Sequence, residues 1–249
     1  YGGDLLGNVW RFDLSSYDEG DFKVEKFAEL TSTDGSAQSV TIAPQIEVDF
    51  QNGIDRYVFV GTGRLLDESD LVTYADQVQS MYALRDGTVL EMSKTVGYKP
   101  RTDSGFEKIT DGLTGLSTVP EKGWIHDLPK GERIIAPIQA EVNLLVYAGS
   151  LPPENECLSG LAANIYAREF TRGASQLREK DGEPFVEGIY SAEGAVGVEL
   201  IKLYKGEGAT QPTVRVAITR GTDGKMTSFP VNLPGGSADH RMSWRLLGQ

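Results

Sequence analysis

Tyr1-Gly-Gly-Asp-Leu-Leu-Gly-Asn-Val-Trp-Arg-Phe-Asp-Leu14 opens the chain and decides its fold. The stretch predicts the end of one strand, a tight turn of Asp, Gly and Asn residues, and a second strand with apolar side chains. We expect the side chains of Asp4 and Asp13 to flank the turn and to accept its backbone N–H bonds. Because such a strand pair is half of a β-propeller blade, we expect the chain to begin in mid-blade.

The chain repeats its own pattern. Ile42-Ala-Pro44 returns as Ile135-Ala-Pro137, and each copy precedes an apolar strand that ends at glycine and then an alternating aromatic strand. These strands are predicted at Arg56–Gly63, Gln79–Asp86, Leu144–Gly149 and Asn164–Phe170. An internal repeat built from short strands is typical of propeller blades.

The repeated strands also predict how neighbouring units pack. Tyr57–Val60 is an uninterrupted apolar run, which indicates a strand buried on both faces. The glycines that follow it mark a close approach of neighbouring blades. Trp10, Tyr82 and Tyr166 occupy the equivalent aromatic position of three units, and we expect their rings to pack between blades.

The fold class follows from the repeat. We predict an all-β fold, a modified β-propeller that forms only part of the full ring, with residues 1–249 in one domain. Its blade-like units are expected at about 1–35, 36–95, 130–185 and 190–249. The two Ile-Ala-Pro copies lie about two blade lengths apart, so long loops are predicted, mainly near 64–77 and 95–130. Further strands are predicted at Thr88–Met92, Val196–Tyr204, Thr213–Arg220 and Lys225–Val231.

Composition excludes several classes of partner. The net charge is −12, which argues against a nucleic-acid partner because phosphate contacts need clustered Lys and Arg. No apolar run approaches the ~20 residues of a membrane span. The single cysteine, Cys157, cannot form an internal disulfide and is left as a lone thiol or as the partner of a cysteine outside this sequence.

The sequence predicts no catalytic, metal-binding or cofactor-binding residue. The two histidines, His126 and His240, are not spaced as zinc ligands, and no Gly-x-Ser-x-Gly elbow is present. Gly61-Thr-Gly-Arg64 lacks the Gly-Lys-Ser/Thr ending of a phosphate-binding loop. We therefore interpret both histidines as ordinary loop residues.

Two acidic loops raise the alternative of a calcium site. The segment 49–55 places acids around an Asn-Gly pair, and Asp67-Glu-Ser-Asp70 is a second acidic run. Calcium loops need oxygen ligands at fixed alternate positions and a bidentate Glu, which the segment 49–55 does not supply. We interpret the first as a hairpin flanked by solvated acids and the second as a solvated loop.

In combination, the ordered motifs resemble the C-terminal domain of PilY1/PilC-type type IV pilus biogenesis proteins. The resemblance starts with the opening stretch, spans nearly the whole chain, and depends on the order of its pieces. Those pieces are Ile42-Ala-Pro44, Val60-Gly-Thr-Gly-Arg-Leu-Leu66, Gln79-Ser-Met-Tyr-Ala-Leu-Arg-Asp86, Gly123-Trp-Ile-His-Asp-Leu-Pro129, Gly131-Glu-Arg133 and Arg241-Met-Ser-Trp-Arg245.

The resemblance implies a non-enzymatic function at the pilus tip or outer-membrane surface of a Gram-negative bacterium. Members of this family promote pilus extension, surface attachment, twitching motility and virulence, so pilins, minor pilins and a host or surface receptor are the implied partners. The family also implies an Asp-rich calcium loop upstream of Tyr1 in a longer parent protein. No residue of 1–249 matches that loop, so we assign no calcium ligand here.

Two alternatives remain open. One is a quinone-dependent dehydrogenase of the propeller class, which the aromatic repeat strands also resemble. The other is a carbohydrate-binding propeller, in which Tyr74, Tyr98 and Trp124 of the long loops would stack on sugar rings. Local packing is the competing interpretation of those three aromatic side chains.

Overall fold

The computed structural model describes residues 1–14, 16–50, 53–151, 162–203, 213–220 and 224–233. Within these ranges the chain forms fifteen strands in four sheets and one short α-helix. The predicted all-β class is therefore confirmed. Cys157 and His240 lie outside the described residues, as does most of the 221–224 turn.

The first sheet contains the opening motif. Its strands run antiparallel in the order β1, β2, β3, and they are β1 (Gly2–Gly3), β2 (Asn8–Asp13) and β3 (Lys23–Glu29), with a 3-10 turn over Glu19–Asp21. The Asp4 carboxylate accepts hydrogen bonds from the backbone N–H of Leu6 and of Asn8, both at 2.9 Å. The expected turn role is thus confirmed for Asp4, whereas Asp13 lies at the far end of β2, opposite Lys23.

The second sheet is the widest, with the order β4, β5, β6, β8, β7. Its elements are β4 (Gln45–Asp49), β5 (Asp55–Gly61), α1 (Ser69–Thr73), β6 (Ser80–Thr88), β7 (Phe106–Lys108) and β8 (Gly123–Asp127). The pairs are antiparallel except for β7 with β8. α1 lies inside the long loop that was predicted near 64–77.

Two predictions for this sheet are wrong. The segment after Thr88 turns back on itself through the Thr88 N–H bond to the Glu91 carbonyl, so no outer strand forms at Thr88–Met92. The position next to β6 belongs to β8, which pairs with β6 from Ser80–Asp127 to Leu84–Gly123, and β7 forms the outer edge. The predicted loop near 95–130 therefore contains two strands, β7 and β8.

The third and fourth sheets are regular antiparallel sheets. The third has the order β12, β11, β10, β9 and the fourth the order β13, β14, β15. Their strands are β9 (Gln139–Glu141), β10 (Leu144–Leu151), β11 (Ala162–Glu169), β12 (Ile189–Ser191), β13 (Gly197–Leu203), β14 (Thr213–Thr219) and β15 (Met226–Pro230). The three strands predicted between residues 196 and 231 are confirmed to within a few residues.

Three apolar cores join the four sheets in chain order. The first–second core contains Phe27 and Val58, the second–third core contains Phe59 and Tyr147, and the third–fourth core lies between β10, β11, β13 and β14. β5 contributes Tyr57 and Phe59 to one core and Val58 to another, which confirms that both faces of this apolar strand are buried.

Gly61 ends β5 and Gly149 lies near the end of β10, and both positions are crowded. A Cβ atom on Gly61 would lie 2.6 Å from Ile134 Cγ2, and one on Gly149 would lie 1.8 Å from Glu132 Oε1. Only a residue without a side chain fits at these distances. The predicted close approach of neighbouring units is confirmed at Gly61, whereas Gly149 and Glu132 belong to the same predicted unit, 130–185.

The three equivalent aromatic residues have different surroundings. Tyr82 is buried in the first–second core and Tyr166 in the second–third core, so their rings pack between sheets as expected. Trp10 belongs to none of the three described cores. Its ring is half-buried, its Nε1–H donates to Asp4 at 3.0 Å, and the Lys26 ammonium lies 5.8 Å from the ring. The expected packing between blades is wrong for Trp10 among the described residues.

Candidate functional site

β8 lies between β6 and β7 in the second sheet, and a cluster of polar side chains lies on each of its two faces. Its side chains alternate, as they do in any strand. Trp124 and His126 face the third sheet, where they meet the second–third core and Tyr147. Ile125 and Asp127 point the other way, towards the first–second core and Arg101.

The three aromatic residues predicted to stack on sugars lie in separate surroundings. Tyr98 is 4% exposed in the first–second core, and Trp124 is 0% exposed in the second–third core. Trp124 Nε1–H donates to the Phe170 carbonyl at 2.7 Å. These two rings offer no free face to a sugar. Tyr74 is half-buried beside the Arg64 guanidinium, 5.7 Å from the ring centre, and its stacking role stays a prediction.

A buried polar network occupies the side of β8 that faces the third sheet. Arg168 is fully buried and donates to four oxygens and one nitrogen through its guanidinium. Its acceptors are Tyr147 Oη at 3.0 Å, the carbonyls of Gly112 and Gly173 at 2.6 and 2.8 Å, His126 Nε2 at 2.9 Å and Glu187 Oε1 at 3.5 Å. Every guanidinium donor is therefore engaged.

This network fixes the state of His126. Because a guanidinium can only donate, the Nε2 atom of His126 must accept from Arg168, and the neutral ring carries its proton on Nδ1. Nδ1 lies 2.7 Å from Tyr147 Oη. Burial, together with the charge on Arg168, lowers the pKa of His126 to about 4. Both ring nitrogens are thus occupied, and the ring is not placed as a general base.

Glu132 forms a second buried group next to this network. The side chain is fully buried, and its oxygens accept from Asn164 Nδ2 at 2.8 Å and from Tyr166 Oη at 2.9 Å. Burial raises the pKa of Glu132 to about 7, although both hydrogen bonds act in the opposite direction. A buried carboxyl group whose side-chain partners in the described part of the chain are an amide and a hydroxyl, with no cation, is unusual in a protein interior.

The other side of β8 holds an ion-pair cluster. The Asp127 carboxylate contacts Arg101 Nη2 at 2.6 Å and Lys108 Nζ at 2.8 Å, and it accepts from Ser80 Oγ at 2.7 Å. Burial acts to raise the pKa of Asp127, but the hydrogen bonds of these three donors outweigh it and lower that pKa to about 2. Asp127 is therefore ionised at neutral pH.

An open cleft lies next to each face of β8. The cleft towards the third sheet has a volume of about 490 Å³ and is lined by His126, Asn164, Tyr166 and Glu187 among others. The cleft towards the first sheet has a volume of about 500 Å³ and is lined by Arg101 and Lys108 among others. Both volumes fall within the range of small-molecule sites, about 300–1,000 Å³.

The acidic loops are more buried than expected. Asp49 is 2% exposed and accepts from Asn143 Nδ2 at 2.8 Å. Asp70 is 1% exposed and contacts Arg64 Nε at 2.9 Å. The interpretation as solvated acids is wrong for these two carboxylates. Asp49 accepts a hydrogen bond from an amide, and Asp70 forms an ion pair with a guanidinium. Within the described ranges, no three His, Cys, Asp or Glu side chains converge as metal ligands.

Sequence reasoning missed most residues of both networks. Arg168 lies 42 positions from His126, and Arg101 lies 26 positions from Asp127, so no local spacing links the partners. The segment Gly123–Pro129 is the one part of the sequence that could have indicated these networks. Its alternating side chains predict a strand with two different faces, but not the partners of either face. Glu132 lies in the motif Gly131-Glu-Arg133, but its carboxyl is buried by contacts with Asn164 and Tyr166 of the third sheet, which the motif does not predict.

Comparisons with known proteins agree on one group of relatives. The chain is 27% identical, over an alignment of 265 residues, to a protein described as "Type IV pilus biogenesis factor PilY1 homolog" from Xylella fastidiosa, covering 98% of this chain and 20% of that protein. The chain thus spans about a fifth of the length of this relative. No family model matches the sequence.

A solved structure shows the same fold. The crystal structure of the Pseudomonas aeruginosa PilY1 C-terminal domain superposes with a TM-score of 0.64 at 17% identity, covering 92% of this chain and 56% of that chain. The four stacked sheets therefore confirm the predicted fold class of a partial, modified propeller. The resemblance seen in the sequence is confirmed by both comparisons: this chain is similar in sequence to a PilY1 homologue and has the fold of a PilY1-type C-terminal domain.

Proposed function

We propose that this chain is a non-enzymatic module of a type IV pilus biogenesis factor. The observation that carries the proposal is the similarity to a PilY1 homologue along 98% of the chain. The shared fold with a PilY1 C-terminal domain supports the same assignment. The relative is described as a biogenesis factor rather than an enzyme, which favours this function over a quinone-dependent dehydrogenase.

Two polar side chains of β8 are engaged by neighbouring groups. His126 is neutral at physiological pH and has both ring nitrogens engaged. Asp127 is held by two cations. A general acid or base needs a titratable group that can reach a substrate proton, and neither side chain is placed for that task.

The finer parts of the proposal concern location, partners and metal. We place the parent protein at the pilus tip or outer-membrane surface of a Gram-negative bacterium, where it promotes pilus extension, surface attachment and twitching motility. Its partners would be pilins or minor pilins and a surface receptor. Calcium would bind the parent protein outside residues 1–249. In the part of the chain described here, no helix has the length and apolar character needed to cross a membrane.

The test is genetic complementation in the source bacterium. Deletion of the parent gene should abolish surface pili and attachment, and the wild-type gene should restore them. A gene that carries Trp124→Ala should fail to restore them, because removing this fully buried ring costs roughly 3–5 kcal/mol of stability. Lys99→Gln, at an exposed side chain, is the matched control and should restore pili fully.

Two results would contradict the proposal. One is a deletion strain with normal numbers of surface pili and normal attachment. The other is full complementation by Trp124→Ala when the purified variant is shown to be unfolded, because the module would then be dispensable. Growth of the wild-type strain with a calcium chelator tests the metal separately. A calcium-dependent parent protein should lose function there, whereas the deletion strain should show no further loss.

A further inference from the structure

The first sheet carries apolar side chains on the face that points away from the second sheet. We call this face the outer face and define it by Gly2, Trp10, Phe12, Val24 and Lys26. Phe12 is 47% exposed and Val24 is 60% exposed, and the two residues lie directly opposite each other on β2 and β3. Large apolar side chains that are exposed together on one face indicate an interaction surface.

The opposite face of the same two strands carries the charged side chains. Arg11 of β2 is 6% exposed and pairs with Glu25 of β3 and with Asp86 of the second sheet, both at 2.7 Å. Val9, two residues earlier, lies in the first–second core. Since side chains alternate along a strand, Phe12 points away from the second sheet. A sheet with water on one side normally places its polar side chains there, so this sheet has the pattern of one that is covered on both faces.

The outer face is flat enough to receive a second sheet. Gly2 of β1 lies opposite Trp10, and a Cβ atom on Gly2 would lie 3.3 Å from the ring of Phe12. The Phe12 ring therefore lies over β1 and does not stand away from the sheet. Leu14 and Phe22, next to the ends of β2 and β3, are also exposed and add to the apolar surface.

The internal repeat identifies what this face packs against in the other units. Trp10, Tyr82 and Tyr166 occupy equivalent positions of three units. The ring of Tyr82 lies in the first–second core and that of Tyr166 in the second–third core, so each packs towards the sheet that precedes its own. Phe12 follows Trp10 by two residues as Leu84 follows Tyr82, and Leu84 also lies in the first–second core. The outer face is therefore equivalent to faces that pack against a preceding sheet.

We propose that the outer face binds a further antiparallel β-sheet, which the remaining part of the parent protein supplies. A sheet fits this face because it continues the stack of sheets through equivalent residues. Such a sheet would direct alternate apolar side chains at Phe12 and Val24. This chain matches 20% of its PilY1 relative, so a parent protein of that length has further chain from which to build the sheet. The contact concerns assembly of the parent protein and does not depend on the proposed role in pilus biogenesis.

Hydroxyl-radical labelling, read by mass spectrometry, tests the contact in the parent protein and in this chain alone. We expect Trp10 and Phe12 to be labelled several-fold less in the parent protein than in the chain alone. Leu90, which is 85% exposed in the loop after β6, is the reference and should be labelled equally in both. Equal labelling of Phe12 in the two proteins would overturn the proposal.

Two matched variants measure the contribution of the face to stability. Val24→Thr keeps the shape and the β-branching of the side chain but places a hydroxyl against the apolar sheet, so it should lower the midpoint of thermal unfolding of the parent protein by a few degrees. Val72→Thr makes the same change at a position of α1 that is 82% exposed and should leave the midpoint unchanged. In this chain alone, neither substitution should shift the midpoint. Equal shifts from both variants in the parent protein would overturn the proposal.

A second copy of the chain is the other occupant that the same labelling experiment tests. Protection of Phe12 that is unchanged on dilution of the parent protein supports a sheet from the same molecule. Protection that disappears on dilution would assign the outer face to a second copy and overturn the proposal. These readouts are measured on purified protein and not on piliation, so this proposal and the proposed function fail separately.

Discussion

Glu132 and His126 are ionisable groups whose burial disfavours their charged forms, and they change stability in opposite directions as the pH rises. Burial raises the pKa of Glu132 to about 7 and lowers that of His126 to about 4. The unfolded chain ionises Glu132 above its ordinary pKa, so this group costs stability as the pH rises from about 4.5 to 7. The unfolded chain protonates His126 below about 6.5, so this second group costs stability as the pH falls towards 4.

Glu132→Gln should remove the first effect while keeping the shape of the side chain. Relative to the wild type, the variant should gain stability as the pH rises from about 4.5 to 7, by up to about 3 kcal/mol. The hydrogen bond from Asn164 can be kept by the amide oxygen of Gln. Urea unfolding at a series of pH values measures the difference.

The control for this variant is Glu68→Gln, which removes one negative charge from an exposed position. It separates loss of a buried carboxyl from the smaller change in net charge. If the stability difference between Glu132→Gln and the wild type is the same at pH 4.5 and at pH 7, then burial does not shift the ionisation of Glu132 and our account of this group is wrong.

At the scale of elements, the sequence predicts strands well where they are long and repeated. β5 and β10 were found because their apolar runs end at glycine, and β6 because its side chains alternate between two cores. β8 was missed because it has five residues and follows a Gly-rich loop, and because its pairing with β6 is non-local. Trp124 of β8 was therefore assigned to a loop and to sugar stacking, whereas it is a fully buried core side chain.

The site was less predictable than the strands for the same reason. The sequence contains a distinctive motif around β8. The contacts of its side chains depend on residues from other sheets and loops, which the motif does not specify. Arg168 comes from the third sheet and Arg101 from the long segment before β7. Charge complementarity between such distant positions leaves no periodic signal in one sequence.

The strand-ending glycine of β5 can be tested by adding a single methyl group. Gly61→Ala would place Cβ 2.6 Å from Ile134 Cγ2, and the overpacking should cost roughly 1–3 kcal/mol. Gly197→Ala is the matched control, since the nearest atom to its new Cβ is 3.8 Å away. Chemical denaturation of both variants gives the two free energies of unfolding.

A double variant shows whether the contact itself is responsible. Ile134→Ala removes the crowded methyl groups, so Gly61→Ala should cost less in that background than in the wild type. Additive effects of the two substitutions would mean that Gly61 matters through its backbone and not through the approach of the loop that follows β8.

At the scale of the whole molecule, the four sheets are linked by cores that share strands. β5, β6 and β8 contribute to the first–second and second–third cores, and β10 and β11 contribute to the second–third and third–fourth cores. These five strands therefore have both faces buried, whereas the described faces of β7 and β15 are partly exposed. The polar networks lie at the outer side of this stack, where the two clefts open.

This arrangement predicts a gradient of hydrogen exchange across each sheet. Amides of β5, β6, β8, β10 and β11 should exchange slowest, because opening any of these strands disrupts two cores at once. Amides of β7 and β15 should exchange fastest among the strands, because each can open with little loss of buried apolar surface. Exchange measured by mass spectrometry on peptic fragments, corrected for intrinsic rates, tests the order. If β15 were as protected as β10, stability would be uniform across the stack and the shared strands would not be its organising element.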